Sequence, residues 1–401
     1  MLIIQKYGGT SVGDCQRIEN IAKKVLKSRN IGDKIVVVVS AMGGETDKLI
    51  GYTKYFSQLP NEREVDKVLS TGEIVTSALL SIALNELGAK AISLSGRAAG
   101  IRTDDIYTKA KIQDVNTDNI IKYLNDDYIV IVAGFQGVND NGYITTLGRG
   151  GSDLSAVALA GALNADICEI YTDVDGVYTT DPRIEQRAKK IDKISYDEML
   201  ELASLGAKVL LNRSVEMAKK LNVKIITRNS FNDNAGTIIT NEEEIMEKPI
   251  ISGIALDKNQ ARVSLIDVND KPGIAAALFS SLANSNINVD MIVQTIGRDG
   301  KTDIDFTIPK TDIALCRKLL SDFRNSAQGI EYDENIAKVS IVGLGMKSHS
   351  GVASKTFSTM ANENINIMMI STSEIKISMI IDIKYAELSV RALHNAYELD
   401  K

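Results

Sequence analysis

The chain has 401 residues and a formal net charge of −6, a length at which two or three domains are expected. With 44% hydrophobic and 24% charged residues it has the means to bury cores, which argues against disorder. An acidic balance excludes broad nucleic-acid or anionic-membrane binding, which calls for a basic surface, but a few placed cations still suffice for a nucleotide.

The cysteines Cys15, Cys168 and Cys316 are far apart, with no CxxC pair. Neither a disulfide framework nor a zinc site is expected, and a reducing cytoplasm fits. The opening Met1-Leu2-Ile3-Ile4 is too short an apolar run for a signal peptide. No stretch is expected to reach the roughly 18 apolar residues that span a bilayer. The histidines are His349 and His394 alone, so any chemistry before them has to proceed without an imidazole.

Up to about residue 240, strand-like runs alternate with helical stretches. Leu2-Ile3-Ile4 precedes a glycine turn and a helix expected over Asp14 to Ser28. The β-branched run Ile35-Val36-Val37-Val38-Val39 suits a strand buried on both faces of a parallel sheet. One long helix is expected over Arg63 to Leu87, closed by Gly88. Further strands are expected at Ala91–Leu94, Ile129–Val132, Ile167–Tyr171 and Val223–Ile226. The pattern predicts an α/β sandwich around a mainly parallel sheet.

The charged segment ending in Pro249 reads as a linker or a short solvated helix. Beyond it the chain repeats. Ala261-Arg262-Val263-Ser264-Leu265-Ile266 parallels Ala337-Lys338-Val339-Ser340-Ile341-Val342, and Leu282 to Val289 parallels Met360 to Ile367. Each copy reads as strand, glycine turn, amphipathic helix and strand. Two copies are too few for a solenoid and point to paired α+β modules.

Three motifs carry chemistry. In Lys6-Tyr7-Gly8-Gly9-Thr10-Ser11 the glycines let backbone N–H groups approach a phosphate and Lys6 adds a compact cation; a plain strand-to-helix turn is the other reading. Its spacing is not that of a Walker P-loop. In Gly148-Arg149-Gly150-Gly151-Ser152-Asp153 a helix start attracts anions, Arg149 offers a fork for a carboxylate, and Ser152 or Asp153 is expected to cap the helix. Asp153 either serves only as that cap or orients Lys6 or the nucleotide. In Tyr171-Thr172-Asp173-Val174-Asp175-Gly176-Val177-Tyr178, continued by Thr180-Asp181-Pro182-Arg183, a strand end opens into a loop where α/β sheets bind ligands. A calcium loop is excluded there by the missing terminal Glu. Ser40, Thr46, Glu73 and Lys208 are weaker signals that are, alone, as well explained structurally.

Taken in order, KYGGTS from Lys6, VVSAM from Val38, STGE from Ser70, VAGFQG from Val132, TLGRGGSD from Thr146, YTDVDGVYTTDPR from Tyr171 and GAKVL from Gly206 resemble the aspartate kinase family over essentially the whole chain. The resemblance implies an amino-acid-kinase α/β/α sandwich over residues 1–240. A linker and strand at 241–260 would follow, then ACT modules of βαββαβ type at 261–336 and 337–401. It implies transfer of a phosphoryl group from ATP with Mg²⁺ to L-aspartate, the first step toward lysine, threonine and methionine. Lys6 and Asp153 would be catalytic. Lys6, Tyr7, Gly8, Gly9, Ser40, Thr172, Asp173, Tyr178, Arg183 and Lys208 would bind ATP, and Thr46, Glu73, Arg149, Gly150, Gly151 and Ser152 would bind aspartate. Asp270, Asn288, Val289, Asp290, Gln294, Val352, Ala353, Asn366, Ile367 and Ser373 would bind lysine or threonine as effector. No resident metal ligands are implied. Pairing through the ACT modules implies a homo-oligomer, in the cytoplasm, with no nucleic-acid or membrane partner. The strand from Ile250 to Lys258 would join the second module. Leu211-Asn212 stand where many members carry His-Pro, and with the chain ending at Lys401 no fused homoserine dehydrogenase is expected. The competing readings are a kinase for glutamate or acetylglutamate and a catalytically silent amino-acid sensor.

Overall fold

The structure is a computed structural model and describes residues 1–29, 32–205, 209–245, 249–295, 300–323 and 326–401. The chain forms two compact units, one of residues 1–177, 190–203 and 208–246, the other of residues 178–189, 204–207 and 247–401.

The first unit opens with β1 (Leu2–Tyr7), α1 (Cys15–Ser28), β2 (Lys34–Val39), α2 (Glu45–Phe56), α3 (Glu62–Leu69), α4 (Thr71–Glu86) and β3 (Ala91–Leu94). It continues through β4 (Ile101–Thr103), β5 (Ile112–Val115), α5 (Asp118–Asn125), β6 (Ile129–Ala133), β7 (Gln136–Val138) and β8 (Ile144–Thr146). It closes with α6 (Gly151–Ala162), β9 (Ile167–Thr172), β10 (Lys193–Ser195), α7 (Tyr196–Ser204), α8 (Asn212–Leu221), β11 (Ile225–Asn229) and β12 (Thr237–Thr240). The large sheet has the order β10-β12-β11-β9-β1-β2-β6-β3, parallel except where β11 meets β12. Its central strands are buried along their length, as their unbroken β-branched runs require.

α1 buries Ile18, Ile21, Ala22 and Val25, a stripe at helical spacing, and Asp14 caps it by accepting from the Arg17 N–H. That stripe joins Ile35, Val37, Val39, Leu80 and Leu84 in one core, each large side chain stabilising by about 1.5–3 kcal/mol. The single helix expected over Arg63 to Leu87 is instead two, α3 and α4, broken at Ser70. The Ser70 carbonyl is drawn out by the Gln136 amide at 2.8 Å, and the Ser70 hydroxyl bonds the Lys67 carbonyl. Residues Glu62–Glu86 together are apolar and long enough to cross a membrane, contrary to expectation. Half of the apolar window is buried in the fold, however, and the buried residues of α4 include Glu73, Thr76 and Ser77.

The second unit contains β13 (Gly253–Asp257), β14 (Gln260–Asn269), α9 (Ile274–Asn284), β15 (Ile292–Gln294), β16 (Lys301–Pro309), α10 (Ile313–Leu319) and β17 (Gly329–Asp333). It ends with β18 (Ile336–Val342), α11 (Val352–Asn362), β19 (Ile367–Thr372), β20 (Lys376–Asp382) and α12 (Ala386–Ala396). Two antiparallel sheets result, β15-β16-β14-β17 and β13-β18-β20-β19. β13 pairs along β18, so the chain enters the second sheet, leaves to build the first module and returns. The repeat is explained residue by residue. Gly273 and Gly351 start α9 and α11 at φ 96° and 92°, and Asn286 and Asn364 follow those helices at φ 56° and 55°, the left-handed ending that Asn tolerates.

Residues 178–189 belong to this unit. Ile184 packs on the core of the second module, Ile254 N–H donates to the Thr179 carbonyl, and Thr179 Oγ1 lies 2.9 Å from Nε2 of the buried His394.

Candidate active site

Register alone assembles one edge of the large sheet. Tyr7 lies beside Val39 and Tyr171, and Val39 beside Ala133, so the loops after β1, β2, β6 and β9 leave the sheet side by side. β1 has β2 on one flank and β9 on the other, the switch point at which open α/β sheets bind ligands.

Lys6 and Asp153 meet at this edge. Lys6 Nζ lies 2.5 Å from Asp153 Oδ1, with both residues more than nine-tenths buried. A Cβ on Gly8 would stand 3.4 Å from Lys6 Nζ, and one on Gly9 would stand 3.0 Å from the Ala41 carbonyl. The glycines therefore let the turn lie between the ammonium and the end of β2. Gly8 N–H donates to the Tyr171 carbonyl at 3.3 Å, tying the turn to β9.

α6 begins two residues earlier than a Ser152 cap requires and three earlier than an Asp153 cap requires. Its N-cap is Gly150 at φ 68°, and both side chains sit inside the first turn, which frees the Asp153 carboxylate for Lys6. Leu211 fills the space beside Gly150, where an added Cβ would fall 1.5 Å from Leu211 Cδ1. Arg149 precedes this helix and is exposed. The strand feeding its loop is held from below. The buried Asp66 carboxylate accepts from the Thr146 N–H at 2.9 Å, the Thr146 hydroxyl at 2.6 Å and the Thr108 N–H at 2.9 Å. Arg213 donates to the Leu147 and Ala110 carbonyls.

Glu73 is buried at the start of α4. Gly72 brings the helix close enough that a Cβ there would lie 2.8 Å from Ala41 Cβ, and Glu73 Oε1 accepts the Ala41 N–H at 3.1 Å. Glu73 Oε2 is buried with no hydrogen-bond partner among the described residues, and burial pushes the carboxyl up to about 7. Such an oxygen is suited to a cation. Ser40 follows β2, its N–H bonded to the Tyr7 carbonyl, and Thr46 lies half-buried in α2.

Two features were not singled out by sequence reasoning. Phe135, after β6, has φ 68°, a strained conformation for a bulky residue. It is held by its N–H to Ser155 Oγ and its carbonyl from the Leu147 N–H, and its ring lies against Gly151. The loop at Asn229–Asn234 is the other. Its Asn-rich composition was the available signal, since Asn side chains cross-link loops.

Thr172 and Asp173 leave β9 at the same edge, with the Thr172 hydroxyl 3.2 Å from Asp173 Oδ1. Tyr178 and Arg183 fall in the other unit, where the Arg183 guanidinium is exposed and paired with Asp181. Lys208 lies outside the described residues.

Among the expected effector residues, Val352, Ala353 and Ser373 line a cavity of about 560 Å³ in the second module, with Lys347, His349 and Glu374. Asn366 and Ile367 are not part of its wall. In the first module Asp270, Asn288 and Gln294 are exposed and Val289 is half-buried. The Asp290 carboxylate is in an ion pair with the buried Lys338 of β18.

Residues 1–229 match the amino acid kinase family, and residues 263–322 and 339–397 match the ACT domain. An aspartokinase of Helicobacter pylori is 65% identical over the whole of both chains. Escherichia coli aspartokinase III in complex with aspartate and ADP (R-state) superposes with a TM-score of 0.82 at 27% identity, covering 99% of each chain. The same enzyme in complex with lysine and aspartate (T-state) gives 0.81 at 28% identity, covering 98% of this chain and 99% of that one. The fold and site define a member of the amino acid kinase family that carries two ACT domains after the kinase region. Within that family the chain belongs to the aspartokinases, ATP-dependent phosphotransferases with a carboxylate acceptor.

Proposed function

We propose that the chain passes the γ-phosphoryl group of Mg-ATP to the side-chain carboxylate of L-aspartate, giving ADP and 4-phospho-L-aspartate. The observation that carries this reading is the buried Lys6–Asp153 pair set against a glycine turn at the switch point. The nucleophile has an ordinary pKa near 4 and is ionised at neutral pH, so no general base is needed. The barrier is the approach of that anion to a polyanion, and placed positive charge lowers it. Lys6 has three donor hydrogens, of which Asp153 orients the group toward the turn, leaving others for phosphate oxygens. Gly8 and Gly9 give the phosphoryl group a close backbone wall.

Glu73 takes the substrate ammonium on its unpartnered Oε2, and Arg149 takes a carboxylate in its fork. Thr46, Gly150, Gly151 and Ser152 line the aspartate side; Tyr7, Ser40, Thr172 and Asp173 serve the nucleotide. Among the described residues no group of three or more Asp, Glu, His or Cys side chains gathers to hold a cation. Mg²⁺ accordingly enters on the phosphates, where it neutralises charge, with at most one or two carboxylates added.

Feedback acts through the ACT modules. The cavity at Lys347 and Glu374 presents both charge signs, as a zwitterionic amino acid requires, and E. coli aspartokinase III has been solved with lysine. Lysine, threonine or both bind the less active state more tightly. The enzyme works as a cytoplasmic homo-oligomer joined through these modules, at the entry to lysine, threonine and methionine synthesis.

The test is ADP release with L-aspartate, L-glutamate or no acceptor, repeated with lysine and threonine singly and together. ADP formation with L-aspartate alone, depressed by an effector, is expected. Preference for L-glutamate, or no turnover with any acceptor, rejects the reading.

A further inference from the structure

The segment Asn229–Asn234 meets the glycine turn at Ser230. Three elements converge on this residue. Its N–H donates to the Thr172 carbonyl at the end of β9 (2.8 Å), its carbonyl accepts from Lys24 Nζ of α1 (3.3 Å), and its Oγ lies 2.5 Å from Ser11 Oγ. Ser11 is buried and closes the turn, its own N–H donating to the Gly8 carbonyl at 2.9 Å.

The segment is itself held from several sides. Lys24 Nζ also donates to the Asn229 and Asn232 carbonyls, at 3.2 and 2.7 Å. Asp175 accepts from the side-chain amides of Asn229, Asn232 and Asn234 at 2.6, 2.8 and 3.0 Å. Arg17 spans the same gap a second time. It donates to the Thr10 carbonyl at 2.5 Å and lies 5.5 Å from the Phe231 ring centroid. A turn with two adjacent glycines has little stiffness of its own. Here its outer end is fixed to a segment clamped by Asp175 and Lys24.

We propose that Ser230 is a positioning residue for phosphoryl transfer, holding the Gly8–Ser11 turn in its phosphate-facing conformation through the Ser11 hydroxyl. This rests on the assignment of the transferring phosphoryl group to the Gly8–Gly9 turn. Ser230 acts through Ser11 and touches no reacting atom. The hydroxyl pair sets where the Gly8 and Gly9 backbone stands relative to Lys6, so its loss is felt in the transition state more than in aspartate binding.

The experiment measures kcat and KM for both substrates in the full-length Ser230→Ala, Ser11→Ala, double and Ser230→Thr enzymes, with thermal melting of each. The expected result is a fall in kcat of about tenfold in each alanine variant with KM for L-aspartate within about twofold. The double variant is expected to be no worse than either single one, and Ser230→Thr, which keeps the hydroxyl, to stay within about threefold of the parent. Wild-type kcat in Ser230→Ala, multiplicative losses in the double variant, or a lower melting temperature with unchanged kcat overturns the proposal. Lys6→Ala separates this from the assignment beneath it. An inactive Lys6→Ala beside unaffected serine variants sinks the Ser230 role alone, whereas full turnover in Lys6→Ala sinks the phosphoryl assignment.

Discussion

Leu211 stands in the space that a side chain on Gly150 would need: an added Cβ would lie 1.5 Å from Leu211 Cδ1. Gly150 also holds φ 68° as the N-cap of α6, so any other residue there meets a disfavoured left-handed backbone and has to displace the half-exposed Leu211 side chain. The helix start that follows Arg149 and carries Ser152 and Asp153 is thus packed against Leu211, the residue before α8.

Gly150→Ala is expected to cost about 1–3 kcal/mol of stability from the left-handed backbone and the overlap together. It should lower kcat/KM for L-aspartate by at least about tenfold as the helix start shifts. Adding Leu211→Ala should recover part of the melting temperature by removing the overlap while leaving the backbone strain. Thermal unfolding and steady-state kinetics of the two variants check both parts.

Lys6→Ala should lower kcat by about two orders of magnitude or more, on the order of 3 kcal/mol, with a smaller change in substrate KM. The lost cation acts where charge develops, and the variant also leaves the Asp153 carboxylate buried without its partner. Single-turnover measurements would locate the loss in the chemical step.

The Glu73 carboxyl supplies a pH dependence with a defined sign. Its ordinary value of 4.5 is lifted by burial to about 7 in the ligand-free fold. Between those values the folded enzyme holds a proton that the unfolded chain has released. Stability therefore falls as pH rises from about 4.5 to about 7, by on the order of 3 kcal/mol. Binding of the aspartate ammonium needs the ionised form, so KM for L-aspartate should fall as pH rises through about 7. Glu73→Gln should flatten both profiles and raise KM; melting and initial-rate profiles across this range are the check.

Asp290 and Lys338 tie the two ACT modules together, with Lys338 only 2% exposed. Asp290→Ala strands a buried ammonium and should destabilise by about 3–5 kcal/mol, whereas Asp290→Ala combined with Lys338→Met should return close to the parent. The readout is chemical denaturation of the full chain. Retained stability in Asp290→Ala would return that carboxylate to the list of effector ligands.

Much of the architecture was legible locally. The valine run of β2 declared a strand covered on both faces, the Ile18–Val25 stripe declared α1, and the glycine and asparagine of each repeat marked where α9 and α11 begin and end. These are properties of neighbouring residues, so spacing reveals them. The break at Ser70 was not legible, because its cause is the Gln136 amide from a distant strand. Nor was the displacement of Ser152 and Asp153 from the cap position, which depends on Gly150 adopting a left-handed conformation against Leu211.

By itself the sequence determined the alternating α/β plan with its central buried strands and the C-terminal repeat, that a catalytic half must work without histidine, and which short motifs have the chemistry for a phosphate and an amino acid. Only the tertiary structure decided that Lys6 meets Asp153, that Glu73 keeps one oxygen unpartnered, that Asp290 is taken by Lys338 and that Ser230 braces Ser11. The reason is physical. Local pattern sets backbone conformation through sterics and the burial of one face, but a pairing between side chains far apart in the chain has no periodic signature. It becomes visible only when sheet register brings their carriers to the same edge.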